Sequence, residues 1–346
     1  MRRLWRTALL VGSIGLALHL LLPQLPGIER SLRLVAGTSH ALVGAAFLAE
    51  LASELCYAEL LGRSVGVFAV ARPSSGSGRP GRWFMFRLTI TGYGAAHVLP
   101  GGGATAATVT YDALRRKGFE RGRIALAVAA VSVLVYVALG TIFSASVVYL
   151  LLRGDLDPAE RVASVFSLTL TLCLALGAYL AHVRPTLAKN TAKAAAGLIG
   201  RLPVDGNARR RAEAWSVRLV SSLGQELREA HRQLISKSAE GPKLAALALG
   251  YWAFDALCLV LMFAALKVTA DPLVLLVSYG VATALAAIPL TPGGIGVFEA
   301  SMLATLAVLG VGPEAAIPVL GYRLFNFWLP IPLAAVFYPT LRSASR

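Results

Sequence analysis

The sequence predicts an all-α integral membrane protein. It has about six full transmembrane helices plus two re-entrant broken-helix hairpins in an inverted-repeat arrangement, with both termini cytosolic. Three observations predict this. First, long apolar runs recur along the 346 residues, 56% of which are hydrophobic, and the mean hydropathy is +0.67; soluble domains do not look like this. Second, two apolar runs are interrupted by Pro-Gly clusters, Pro100-Gly-Gly-Gly103 and Pro292-Gly-Gly-Ile-Gly296. Proline removes a donor and clashes with the preceding turn, and glycine tolerates any φ, so each run must break there. Third, the basic residues gather in alternate loops, as the positive-inside rule requires. The whole chain, 1–346, reads as one polytopic domain. Repeat A covers about 34–152, repeat B about 243–340, and a cytosolic amphipathic segment about 184–243.

The elements follow in order. Arg2, Arg3 and Arg6 precede an apolar run from Thr7 to Leu22. No small-x-small cleavage site stands before Pro23, so this is read as a retained first span rather than a removed signal. The second span, about Leu34 to Leu61, carries Glu50 and Glu54 on one face at i,i+4. Carboxylates inside a membrane are costly and face a cavity or a partner. Glu59 falls at the water boundary. Arg63 to Arg82 is a Gly/Ser/Pro/Arg linker.

Trp83 to Leu99 is apolar and runs into Pro100, Gly101, Gly102 and Gly103; Ala104 to Leu114 continues as a small-residue helix. Arg115, Arg116, Lys117, Arg121 and Arg123 close this hairpin. Ile124 to Leu152 and Val162 to Val183 are full spans. In the polar region from Arg184 to Lys243, Trp215, Leu219, Leu223, Leu227 and Leu234 share one helical face. That face suits either the membrane surface or the protein's own cytosolic side.

Leu244 to Leu266 is a span with Asp255 near its centre. Leu273 to Ile288, 16 residues, then meets the second break, and Val297 to Leu309 adds 13. These lengths give roughly 24 and 20 Å of helix, against a hydrocarbon core of about 30 Å, so neither limb crosses alone. The last span, about Glu314 to Tyr338, contains Arg323, Asn326 and Trp328.

With the N-terminus inside and each hairpin returning to its own side, the inside segments hold 26 Lys and Arg and the outside loops five. The first hairpin then enters from the cytosol and the second from outside. Paired broken helices in inverted units are a recurring transporter architecture, with the site at the breaks. The net charge of +15 is therefore a topology signal, and nucleic acid is excluded as a partner. Cys56, Cys173 and Cys258 lie far apart in apolar spans and make no metal or disulfide spacing. Of the five histidines only His97, just before a break, is kept as a candidate.

The motif Pro292-Gly-Gly-Ile-Gly-Val-Phe-Glu299, the earlier Trp252-Ala-Phe-Asp255, and the later Arg323 with Trp328 resemble the lysylphosphatidylglycerol synthase transmembrane family, over roughly residues 30–340. The family includes the flippase half of the multiple-peptide-resistance factor and proteins linked to hopanoids and polyprenyl-phosphate sugars. The resemblance implicates Gly293, Gly294, Gly296 and Glu299, with Asp255 and Arg323 as companions. Where the family has a Pro-x-x-x-Gly-Glu pattern with further charges in the first hairpin, Pro100 to Ala107 here carries none.

The expected function is movement of a phospholipid, aminoacyl-lipid or lipid-linked sugar between leaflets. A midplane cavity lined by Asp255, Glu299, Arg323, Thr291, Asn326, Glu50, Glu54 and the two glycine breaks would replace the headgroup's water. Half-helix N-termini and Arg323 suit a lipid phosphate, and Glu299 and Asp255 suit a cationic or hydroxyl-rich headgroup. Duller readings stand beside these: Asp255 as a structural hydrogen-bond acceptor, and Glu299 with Arg323 as a buried ion pair.

The partners are the bilayer and a membrane lipid or lipid-linked headgroup. The second reading is an accessory subunit of a lipid-modifying transferase acting in trans, or such a transferase itself. Asp155-Leu-Asp157 matches a metal–nucleotide-sugar motif by chance, with no α/β domain around it. No enzyme activity, catalytic residue, cofactor or metal is expected. The location expected is a bacterial inner membrane, multi-pass.

Overall fold

The computed structural model describes residues 37–68, 80–99, 102–153, 165, 240–286 and 291–343. Their regular structure is helical throughout, with no strand among the described residues. Four helical stretches are long and apolar enough to span a bilayer: His40–Phe68, Arg121–Ala145, Glu240–Ala265 and Pro313–Leu341. They correspond to four of the six expected spans. The other two, 7–22 and 162–183, lie outside the described residues, as does the amphipathic segment 184–239.

Helix α1 (His40–Phe68) and helix α5 (Glu240–Ala265) run antiparallel and form the central pair. Three hydrogen bonds pin them along their length. Ser39 N–H donates to the Ala265 carbonyl at 3.0 Å, Ser53 Oγ to the Tyr251 carbonyl at 2.8 Å, and Arg63 Nη1 to Glu240 Oε2 at 3.1 Å. Helix α1 extends seven residues beyond its expected end at Leu61, because Gly62, Ser64 and Val65 still pack inward.

Both expected breaks are present, each as a helix–break–helix unit whose limbs pack against one another. Helix α2 (Arg82–Val98) ends at Leu99, which is extended (φ −96, ψ 145) because Pro100 forbids its neighbour the α region. Helix α3 (Gly103–Arg116) starts after Gly102 at φ 48. Helix α4 (Arg121–Arg153) follows a tight turn.

In the second unit, helix α6 (Pro272–Ala286) begins with proline at its first position, where no N–H is needed, and the Asp271 side chain accepts from Leu273 N–H at 2.9 Å. Pro292–Gly294 form one 3₁₀ turn, with Gly293, Gly294 and Gly296 all at positive φ (58, 71 and 78). Helix α7 (Val297–Val308) restarts from Gly296.

The last span is interrupted. Helix α8 (Ala316–Arg323) leads into a π-helical turn, Leu324–Trp328, and then helix α9 (Pro330–Ser343). Leu329 N–H reaches back five residues to the Leu324 carbonyl at 2.9 Å. Pro330, next in line, has no N–H with which to restore the α pattern.

The halves interlock in a reciprocal way. Helix α2, the first limb of the first unit, packs on α9 at the end of the second half. Helix α6, the first limb of the second unit, packs on α4 at the end of the first half. Glycine permits both approaches. A Cβ on Gly94 would lie 2.6 Å from the Pro330 carbonyl oxygen, and Gly280 receives the Phe143 ring. Trp252 Nε1 donates to the Val135 carbonyl at 2.6 Å, fastening α5 to α4.

Candidate functional site

Asp255 projects from the middle of α5 into a polar cluster inside the apolar core, 2% exposed. Tyr322 Oη donates to it at 2.9 Å, Asn326 Nδ2 donates to its Oδ1 at 2.9 Å, and Tyr279 Oη donates to Oδ2. Both carboxylate oxygens are thus served, as burial demands. Asn326 Nδ2 also faces Glu50 Oε1 at 3.4 Å and the Tyr93 hydroxyl at 3.3 Å. One amide therefore gathers α1, α2, α5 and the last span at a single point. The second oxygen of Glu50 is buried without a partner among the described residues.

Arg323, one helical turn before Asn326, is 4% exposed. Its Nε donates to Glu299 Oε1 at 2.5 Å and its Nη1 to Asn326 Oδ1 at 3.3 Å. The guanidinium stands 4.8 Å from the Phe298 ring centre and 4.3 Å from that of Phe327, within cation–π reach. Glu299 Oε2 accepts from Gly296 N–H at 2.7 Å, closing the start of α7. Both oxygens of Glu299 are therefore committed, one to the cap and one to Arg323. The Nη2 of Arg323 is buried and unpaired among the described residues.

The second break meets the end of α2 and the last span here. A Cβ on Gly293 would fall 2.6 Å from the Phe327 ring and 2.9 Å from the Cα of His97. His97 stacks on Phe327 at 4.2 Å and its Nδ1 lies 3.1 Å from the Phe327 carbonyl oxygen.

A cavity of about 610 Å³ opens beside this cluster. Asp255, Arg323 and Asn326 form its polar floor, Thr291, Gly293 and Gly294 line it from the second break, and Gly102 and Gly103 from the first. Glu54 lines it too. It is 4% exposed and makes no hydrogen bond or ion pair among the described residues. The remaining wall mixes small and aliphatic residues with aromatic ones, among them Tyr57, Tyr93, His97, Tyr136, Tyr251 and Trp252.

The structure thus brings nine of the expected site residues to one cavity: Asp255, Arg323, Asn326, Glu54, Thr291, Gly293, Gly294, Gly102 and Gly103. Glu50, Glu299 and Gly296 do not line it. Glu50 stands behind Asn326, and Glu299 with Gly296 holds Arg323 from the far side. Pro100, Gly101, Asp155 and Asp157 lie outside the described residues. Sequence reasoning missed the tyrosines, since an aromatic in an apolar helix carries no signal of a hydroxyl aimed at a carboxylate. It kept His97 on position alone. Among the described residues no group of three or more His, Cys, Asp or Glu side chains is placed to hold a metal ion.

The chain matches the family described as the lysylphosphatidylglycerol synthase TM region over residues 4–334, and it belongs to that family. No curated protein matches it. It is accordingly a multi-pass, lipid-related membrane protein.

Proposed function

We propose that this member of the lysylphosphatidylglycerol synthase TM-region family is a flippase, moving a phospholipid, aminoacyl-lipid or lipid-linked sugar between the leaflets of a bacterial inner membrane. One observation carries the reading: both helix breaks open onto the same cavity, which also holds the buried charged and amide groups. Irregular backbone at membrane depth is tolerated where it lines such a cavity, and binding sites of inverted-repeat transporters lie at paired breaks. The reciprocal packing of α2 on α9 and α6 on α4 supports the inverted repeat; the alternation of basic loops in the sequence supports re-entrant hairpins with both termini cytosolic. The headgroup exchanges its water for Glu54, Arg323 Nη2 and the tyrosine hydroxyls, and rocking of one half against the other exposes it to either leaflet.

The test is leaflet exchange in liposomes containing the purified protein and fluorescent lipids with anionic, cationic or sugar-phosphate headgroups. Faster exchange of one headgroup class, lost in Glu54→Gln with folding intact, is the expected result. No exchange of any class by well-folded protein overturns the reading and turns attention to a partner transferase.

A further inference from the structure

We propose that the slot between α3 and α4 is a lateral portal through which the hydrocarbon tail of the transported lipid reaches the cavity from the bilayer. The occupant named here rests on the lipid-transport reading; the slot itself rests on geometry.

Helices α3 and α4 are joined by residues 117–120, so residues equally far from the turn face one another. Near the turn the helices are sealed by Leu114, Phe119 and Ile124, all buried. Farther along, the cavity occupies the space between them, bounded by Gly103, Ala104 and Ala107 on α3 and by Val128, Ser132 and Tyr136 on α4. Gly103, Ala104, Ser132 and Tyr136 are also exposed, and Val137, next to Tyr136 on α4, is 61% exposed without lining the cavity. Cavity-lining and exposed positions are therefore contiguous along these two helices, as at a mouth.

Depth decides what the mouth faces. The charged end of α4 finishes at Arg123. Ser132 and Tyr136 lie nine and thirteen residues further, or about 14 and 20 Å along the axis. With a hydrocarbon core of about 30 Å, that is its middle. An opening there meets acyl chains, not water.

The inner end is polar. Arg323 lines the same cavity and its Nη2 is buried and unpaired among the described residues; Glu54 lines the cavity too. An amphipathic molecule satisfies both ends at once, its headgroup against Arg323 and Glu54 and its chain in the slot. A water-soluble solute leaves the apolar mouth unused. The small side chains of α3 set the slot's width, because no bulky residue projects from Gly103, Ala104 or Ala107.

The test uses the whole protein in liposomes containing, in turn, phosphatidylglycerol, phosphatidylethanolamine and an isoprenyl phosphate, each with a photoreactive diazirine at the end of its chain. After illumination the modified residues are mapped by mass spectrometry. For at least one probe, adducts are expected on Ala107 and Val128 inside the slot as well as on the outward Val137. In Ala104→Phe and in Ser132→Phe, which plug the mouth from opposite walls at exposed positions, the inner adducts fall several-fold while those on Val137 persist. Adducts confined to outward residues for all three lipids overturn the portal, as do inner adducts indifferent to both plugs in monodisperse protein. Occupancy is read without leaflet exchange, so the two readings fail separately. Inner adducts without exchange leave the portal and remove the transport reading. Exchange with outward adducts alone removes only the portal.

Discussion

Arg323 and Glu299 form a buried ion pair, Nε to Oε1 at 2.5 Å, that joins the last span to the first turn of the half-helix after the second break. Glu299 does not line the cavity, and the pair leaves one guanidinium nitrogen of Arg323 unpaired among the described residues. Removing one partner strands the other charge in the protein interior, which costs about 3–5 kcal/mol. Glu299→Ala is therefore expected to lower the unfolding midpoint in detergent sharply. The double change Glu299→Leu with Arg323→Met is expected to recover much of that stability while abolishing lipid exchange. Equal midpoints for wild type and Glu299→Ala would show that the pair contributes nothing.

The contact of the second break with the end of α2 at Gly293 gives a second expectation. Gly293→Ala meets a left-handed backbone, costing about 1–2 kcal/mol, together with a collision against Phe327 and the His97 backbone. Gly310 is equally left-handed, at φ 78, but has nothing within 4 Å of an added Cβ. Gly310→Ala is expected to carry the backbone cost alone, and Gly293→Ala a further penalty of about 1–3 kcal/mol from overpacking. Comparison of the two thermal midpoints separates the terms, and a Gly293→Ala no worse than Gly310→Ala would deny that the second break packs against His97 and Phe327.

Asp255 is held by three donors from three segments, so its effects should not add. Tyr322→Phe removes one hydrogen bond to a carboxylate and is expected to cost about 1–3 kcal/mol. In Asp255→Asn the same tyrosine change should cost clearly less, because the acceptor has changed. A double-mutant cycle measures the coupling. Strict additivity would mean that the Tyr322 hydroxyl and Asp255 do not interact.

Much of this was legible in the sequence, for a physical reason. Pro100, Pro292 and the glycines beside them forbid a continuous helix whatever surrounds them, so both breaks were readable one residue at a time. Asp255 and Arg323 stood out because an ionisable group in an apolar run needs a partner. What the sequence withholds is which way a side chain turns. Glu299 reads equally well as a ligand contact or an ion pair; the structure pairs one of its oxygens with Arg323 and the other with the Gly296 N–H. Tyr279 and Tyr322 look like ordinary apolar-helix aromatics until Asp255 is seen between them. The π-helical turn that swings Asn326 toward Glu50 and Asp255 is signalled only by Pro330, which marks equally well a simple kink.

The return of each hairpin to its own face is the expectation that bears on the whole architecture. Limbs α6 and α7 have 15 and 12 residues, about 22 and 18 Å against a core of about 30 Å. Thr269, before the second hairpin, and Gly310, after it, should then lie on one side of the membrane, and Gly81 and Glu120, around the first, on the other. All four are exposed. In a variant lacking Cys56, Cys173 and Cys258, single cysteines at these positions can be labelled in intact cells with a membrane-impermeant maleimide. Thr269→Cys and Gly310→Cys are expected to label from outside, and Gly81→Cys and Glu120→Cys only after the cells are opened. Labelling of Thr269→Cys and Gly310→Cys from opposite sides would make the second unit a full crossing. The two halves would then no longer be inverted copies, and the cavity between their breaks would lose the symmetry on which alternating exposure depends.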